Sequence, residues 1–225
     1  MDWAIFLLPL PVLAAPALVY LWYARTLSGW DKSPWKWLLA GLVFGGAVSA
    51  LAGTVEGFLK DTLNLTLVQS IVVLAPVAEE TGKSIWAWAG WARSKALVRG
   101  EEAGLASGLG FGVVEASAYA ALGYAAGGWQ LALITVLLRS ISGVAFHGST
   151  GALEGRAIAK GLRPFLVTLG AMMVIHGASN YLFFLLPGWW SAIAAVGIGL
   201  GMFAVSEAVL RRTETKETKP EPGTG

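Results

Sequence analysis

The chain has 225 residues, of which 56% are hydrophobic and 13% charged, with 29 glycines, no cysteine and a formal net charge of +2. That charge fraction is roughly half that of a water-soluble domain, which excludes an ordinary soluble enzyme, and the small net charge carries no nucleic-acid footprint. Without cysteine there is no disulfide, no thiolate nucleophile and no Cys-ligated metal.

A bilayer-spanning helix needs about 20 apolar residues. The apolar stretches predict seven spans, at about 3–24, 36–57, 66–91, 103–125, 129–152, 164–186 and 189–210. The expected fold is all-α: one polytopic membrane helix bundle over residues 1–212, with a catalytic-like core at about 66–186. The polar tail 213–225 is expected to be disordered. The first stretch is read as a retained span and not a signal peptide, because it lacks a basic leader and runs straight into a basic loop. The second carries Gly41 and Gly45, a small-residue face that serves packing within or between chains alike.

The third span holds Glu79, Glu80 and Lys83. Lys83 lies four residues after Glu79 and three after Glu80, so on a helix it reaches either carboxylate. Two adjacent carboxylates in hydrocarbon are expensive; Lys83 can hold one ionised while the other stays free to exchange a proton. The fourth span repeats Gly104, Gly108 and Gly112, a smooth face for close helix approach, and then brings Phe111 and Glu115, with Tyr119 one turn on. The fifth places Arg139, Gly143, His147 and Gly151 at four-residue steps, and the sixth places His176 and Asn180 at i and i+4, each set on one helix face.

Orientation follows from Lys and Arg, which favour the cytoplasmic side. Thirteen of the sixteen fall in the loops after spans one, three and five and in the tail; Lys60 alone lies opposite, and Lys83 and Arg139 are within spans. This predicts an outside N-terminus and a cytoplasmic C-terminus, in a cell (plasma) membrane. Counted from their cytoplasmic ends at ~1.5 Å per residue, Glu80, Glu115, His147 and His176 are expected to meet at or just cytoplasmic of the midplane. Both histidines of the chain are in this set. Intramembrane ionisable groups are functional candidates by default, and Glu79, Glu80 and Glu115 against Lys83 and Arg139 leave one negative charge for a proton, a protonated histidine or a metal ion.

Together the segments resemble the PrsW family of intramembrane proteases, within the wider group of CAAX-prenyl endopeptidases and bacteriocin-processing enzymes. The resemblance rests on Glu79-Glu80-x-x-Lys83, Phe111-x-x-x-Glu115, His147 and His176-x-x-x-Asn180, four motifs in order over about residues 70–185. The chain departs at Ala116, where the family pattern carries a polar residue. The resemblance implies endoproteolysis of a membrane protein or peptide in the lipid bilayer. It implies Glu79 or Glu80 as general base, with Glu79 preferred, and Lys83 or Arg139 in support. His147 and His176 would serve the oxyanion or leaving amine, and Asn180 would be an uncharged donor.

A metal such as zinc is left open: Glu115, His147 and His176 with Glu79 or Glu80 form a competent donor set. The same residues suit metal-free, glutamate-activated water, towards which the reading leans because the chain has no His-Glu-x-x-His helix. Two rivals are a proton-coupled transporter, which predicts inverted repeats that the sequence does not display, and a non-catalytic scaffold like the scaffold subunit of gamma-secretase. Substrate identity and oligomeric state are not encoded in any motif.

Overall fold

The structure, a computed structural model, describes residues 6–27, 34–95 and 97–217; Trp3, at the start of the first predicted span, Lys32 in the loop after it and the tail beyond residue 217 lie outside them. The regular elements are α1 (Leu10–Leu27), α2 (Trp35–Thr62), the single turn α3 (Leu67–Gln69), a π-helical turn (Ser70–Leu74), α4 (Ala75–Ser94), α5 (Leu97–Ile141), α6 (Gly143–Ala159), α7 (Leu162–Leu185) and α8 (Trp189–Glu217). The all-α expectation holds, with no strand among the described residues. The helical backbone runs on to Glu217, past the predicted start of the tail at Thr213.

Among the described residues, four stretches are long and apolar enough to cross a membrane: Trp35–Thr62, Arg99–Ala159, Leu162–Leu185 and Trp189–Val209. α1 and α4 are not among them; α4 carries Glu79, Glu80, Lys83 and Arg93 within its 20 residues. Val43, Leu51, Phe58, Leu137, Val167 and Val174 stand exposed on the bundle, an outer surface that suits hydrocarbon rather than water.

Local chemistry sets the element ends. Thr66 and Gln69 form a capping box that starts α3. Within α5 the chain leaves helical geometry at Gly127 (φ −155°, ψ 22°) and Gly128 (φ 67°, ψ −162°), the second being a conformation open essentially to glycine alone. This turn falls between the predicted spans 103–125 and 129–152, and Tyr124 and Trp129 meet edge-to-face across it at 4.9 Å. The hydroxyls of Ser140 and Ser142 bond back to the carbonyls of Val136 and Leu138, a pattern that bends helices. The span predicted as continuous over 129–152 is accordingly interrupted at Ser142, with Arg139 ahead of the break and His147 behind it.

The glycine face read from the sequence is the bundle's main seam. A Cβ on Gly100 would strike the Gly155 backbone, on Gly104 that of Gly151, on Gly108 that of His147 and on Gly112 that of Val144. The descending partner numbers make the α5 arm and α6 antiparallel, backbone against backbone, as small-residue faces allow. On its other side α5 meets α2 through Gly110 against Leu42 and Gly45 against Ser107. Around this pair lies the main core, with Leu13, Ala17 and Leu21 of α1, Leu38 of α2 and Leu105, Leu109 and Val113 of α5. A smaller cluster of Phe146, Met172 and Met202 ties α6 to α7 and α8.

Candidate active site

Glu79, Glu80 and Lys83 project from α4 into the bundle, with Glu80 and Lys83 fully buried. The Lys83 ammonium pairs with Glu80, donates to Thr150 Oγ1 at 2.5 Å and lies 3.4 Å from His147 Nδ1. A charge this deep persists only with such partners. Thr150 follows His147 by three residues, so one helix face presents both to the lysine.

Glu115 Oε2 meets His147 Nε2 at 2.8 Å and takes a hydrogen bond from the Arg139 guanidinium. Arg139 also lies over the Tyr119 ring, 4.3 Å from its centroid, and leans on Gly143, where a Cβ would press on the guanidinium. Phe111, one turn before Glu115, packs on His147 with ring centroids 4.9 Å apart. From α7, His176 Nδ1 meets Glu80 Oε1 at 2.6 Å, and its Nε2 stands 3.7 Å from Glu79 Oε2. The two imidazoles are 5.2 Å apart, with Phe146 edge-on to both.

Two parallel relays result. Lys83 holds Glu80, which holds His176; Arg139 holds Glu115, which holds His147. A carboxylate on one ring nitrogen fixes the orientation of an imidazole and raises its basicity as a donor. Glu79 stands apart, with a buried Oε2 that has no hydrogen-bond donor. Ligand-capable atoms of Glu79, His147 and His176 lie within 4.8 Å of one another, and two imidazoles with a carboxylate are the donor set of catalytic zinc. The residues therefore fit a divalent metal. Glu115 and Glu80 are instead engaged behind the histidines. Beside the pair lies a cavity of about 20 Å³, lined among others by Arg139, His147, His176 and Asn180, which has room for about one water.

Asn180 is turned differently from the expectation. Its Nδ2 donates to the Ile71 carbonyl at 3.0 Å. The π-helical register explains why: the Ala75 N–H goes to the Ser70 carbonyl, so Ile71 would next look to residue 76, which is proline and has no N–H. Gly177 lets α7 approach the same turn, since a Cβ there would run into the Val72 carbonyl.

Two carboxylates escaped the sequence reading. Glu154 is fully buried on α6, one turn past Thr150, facing Glu80 and Lys83. Glu56 of α2 is half-buried within electrostatic reach of Glu79 and Glu115. Glu56 lay inside a predicted span and was findable by the rule that selected the others; Glu154 lay two residues past a predicted boundary. Ala116 is fully buried in the main core, where a polar group would need a partner.

Compared with known proteins, residues 33–210 match the family model described as PrsW family intramembrane metalloprotease. No curated protein and no solved structure matches the chain.

Proposed function

The chain belongs to the PrsW family of intramembrane metalloproteases, and from that premise we propose that it hydrolyses a peptide bond of a membrane-embedded protein at the centre formed by Glu79, Glu80, Glu115, His147 and His176. The observation that carries the reading is the convergence of Glu79, His147 and His176, buried on three different helices, beside a one-water cavity.

Glu79 is the general base. Its free Oε2 accepts the proton of the attacking water, which leaves the hydroxide oxygen to bond the scissile carbonyl carbon. The donors lining the small cavity, Arg139 and the imidazoles, face the oxygen on which negative charge develops. Collapse of the tetrahedral species breaks the C–N bond, and the proton passes from Glu79 or an imidazole to the leaving amine. Glu80 and Glu115 act through the histidines they orient, Lys83 and Arg139 through those carboxylates, and Phe111 and Phe146 by keeping the rings in place. Glu79, His147 and His176 are the residues that would hold a divalent metal such as zinc, in which case Glu79 would serve as a ligand rather than as the free base. When bound, the metal would polarise the carbonyl and make water acidic enough to ionise near neutral pH.

We read the topology as seven spans with the basic loops cytoplasmic. Because the chain has no cysteine, single cysteines placed in each loop report sidedness by membrane-impermeant labelling without background. The functional test is cleavage of a panel of single-span peptides by purified protein, with and without a chelator, against Glu79→Gln. Cleavage lost in the variant is expected, and chelator sensitivity reversed by zinc is expected with it. Cleavage that survives in the Glu79→Gln, Glu80→Gln double variant would falsify the assignment.

A further inference from the structure

We propose that a second cavity, next to the histidine pair, is the subsite that receives a large apolar side chain from the substrate residue beside the scissile bond; this rests on the proteolytic reading above. The cavity measures about 350 Å³ and is walled largely by Ile71, Leu138, Phe183, Phe184, Ala192 and Ala195. It shares Arg139, Ser142, Asn180, Phe183 and Ala195 with the one-water cavity at the histidines. A peptide whose carbonyl occupies the smaller space therefore has a neighbouring side chain directed at the larger one.

The chemistry of the walls selects the occupant. A charged side chain would be desolvated against these mostly apolar walls, where the charge of Arg139 is already balanced by Glu115. A small side chain would leave the space unfilled. The volume is at the lower end of ligand pockets, which suits a leucine- or phenylalanine-sized group and not a helix. Ala192 and Ala195 lie three residues apart on α8 and so share a face; their missing bulk is what opens the floor. Phe184, near the end of α7, also lines the cavity.

The experiment uses the full-length purified chain and a single-span host peptide whose cleavage point is mapped by mass spectrometry. The residues flanking that point are varied among Ala, Leu, Phe and Asp. At one of the two positions Leu or Phe is expected to exceed Ala in kcat/KM by about 10-fold or more, since one missing methylene in an apolar pocket costs about 10- to 200-fold. Ala192→Phe is expected to remove that preference, and Phe184→Ala to shift it towards the larger residue. Thermal unfolding in detergent establishes that each variant is folded; should Ala192→Phe not fold, Phe184→Ala carries the test. Absence of any preference, or a preference unaltered in the folded variants, overturns the subsite while leaving proteolysis intact. Failure of the wild-type chain to cleave any host peptide, or cleavage undiminished in Glu79→Gln, overturns the proteolytic reading and the subsite with it.

Discussion

The side-chain amide of Asn180 completes the hydrogen bonding of Ile71, 109 residues away in sequence, at 3.0 Å. It substitutes for the N–H that Pro76 lacks, and so ties α7 to the π-helical turn just ahead of Glu79 and Glu80. Removing it leaves a part-buried carbonyl unpaired, at a cost of up to about 1–3 kcal/mol. Asn180→Ala is therefore expected to lower the unfolding temperature and impair turnover. Pro76→Ala in the same background restores an N–H at that position and should recover part of the loss. A double-mutant cycle with no coupling between the two sites would count against this account.

Lys83 is expected to be the least replaceable side chain of the site. Lys83→Met strands the fully buried Glu80 and leaves Thr150 without its donor, and breaking a buried pair from one side costs about 3–5 kcal/mol. Adding Glu80→Gln removes the stranded charge, so the double variant should unfold at a higher temperature than Lys83→Met alone, while remaining inactive. Chemical unfolding in detergent gives both values.

Glu79 is expected to separate catalysis from folding. Glu79→Gln keeps the shape but loses the base, with kcat falling about 10²- to 10⁴-fold and little change in unfolding temperature. A metal held by Glu79, His147 and His176 stabilises the folded state through mass action. Zinc added to chelator-treated protein should therefore raise the unfolding temperature of wild type and fail to do so for His176→Ala. An equal shift in both would place the zinc elsewhere.

The glycine seam gives a positional contrast. Gly104→Ala puts a methyl group into the Gly151 backbone, and overpacking of this kind costs about 1–3 kcal/mol. A Cβ at Gly53 or Gly57 of α2 meets nothing within 4 Å, so Ala there should be neutral or stabilise by about 0.5–1 kcal/mol through helix propensity. Activity should follow stability only at the seam, because only there does a widened gap draw His147 away from Glu115.

The site was legible where helix periodicity does the work. Four-residue spacings put Gly104, Gly108 and Gly112 on one face and Glu79 with Lys83 on another, and ionisable residues in apolar sequence mark themselves by their cost. The pairing of each histidine with its own carboxylate was not legible, since it depends on how four helices cross. Nor was the task of Asn180: Pro76 is visible in the sequence, but the π register that makes Ile71 the orphan is not. Glu154 was missed because its meaning comes from α4 across the interface and from nothing in its own neighbourhood. The turn at Gly127–Gly128 was legible as a boundary, whereas the interruption at Ser142 arises from hydroxyl bonds that a serine makes only once the helix exists.

The seam also divides the molecule mechanically. Glu115 and His147 are carried by backbones in direct contact, which leaves those two helices no slack to slide or part. His176 rides on α7, whose buried residues are few: Phe165, Met172, His176 and Gly177. Any sideways yielding of α7 would carry His176 away from Glu80 and from the imidazole opposite. On the proteolytic reading, the site is whole only while α7 keeps its packing, so what holds that one helix in place also holds the chemistry together.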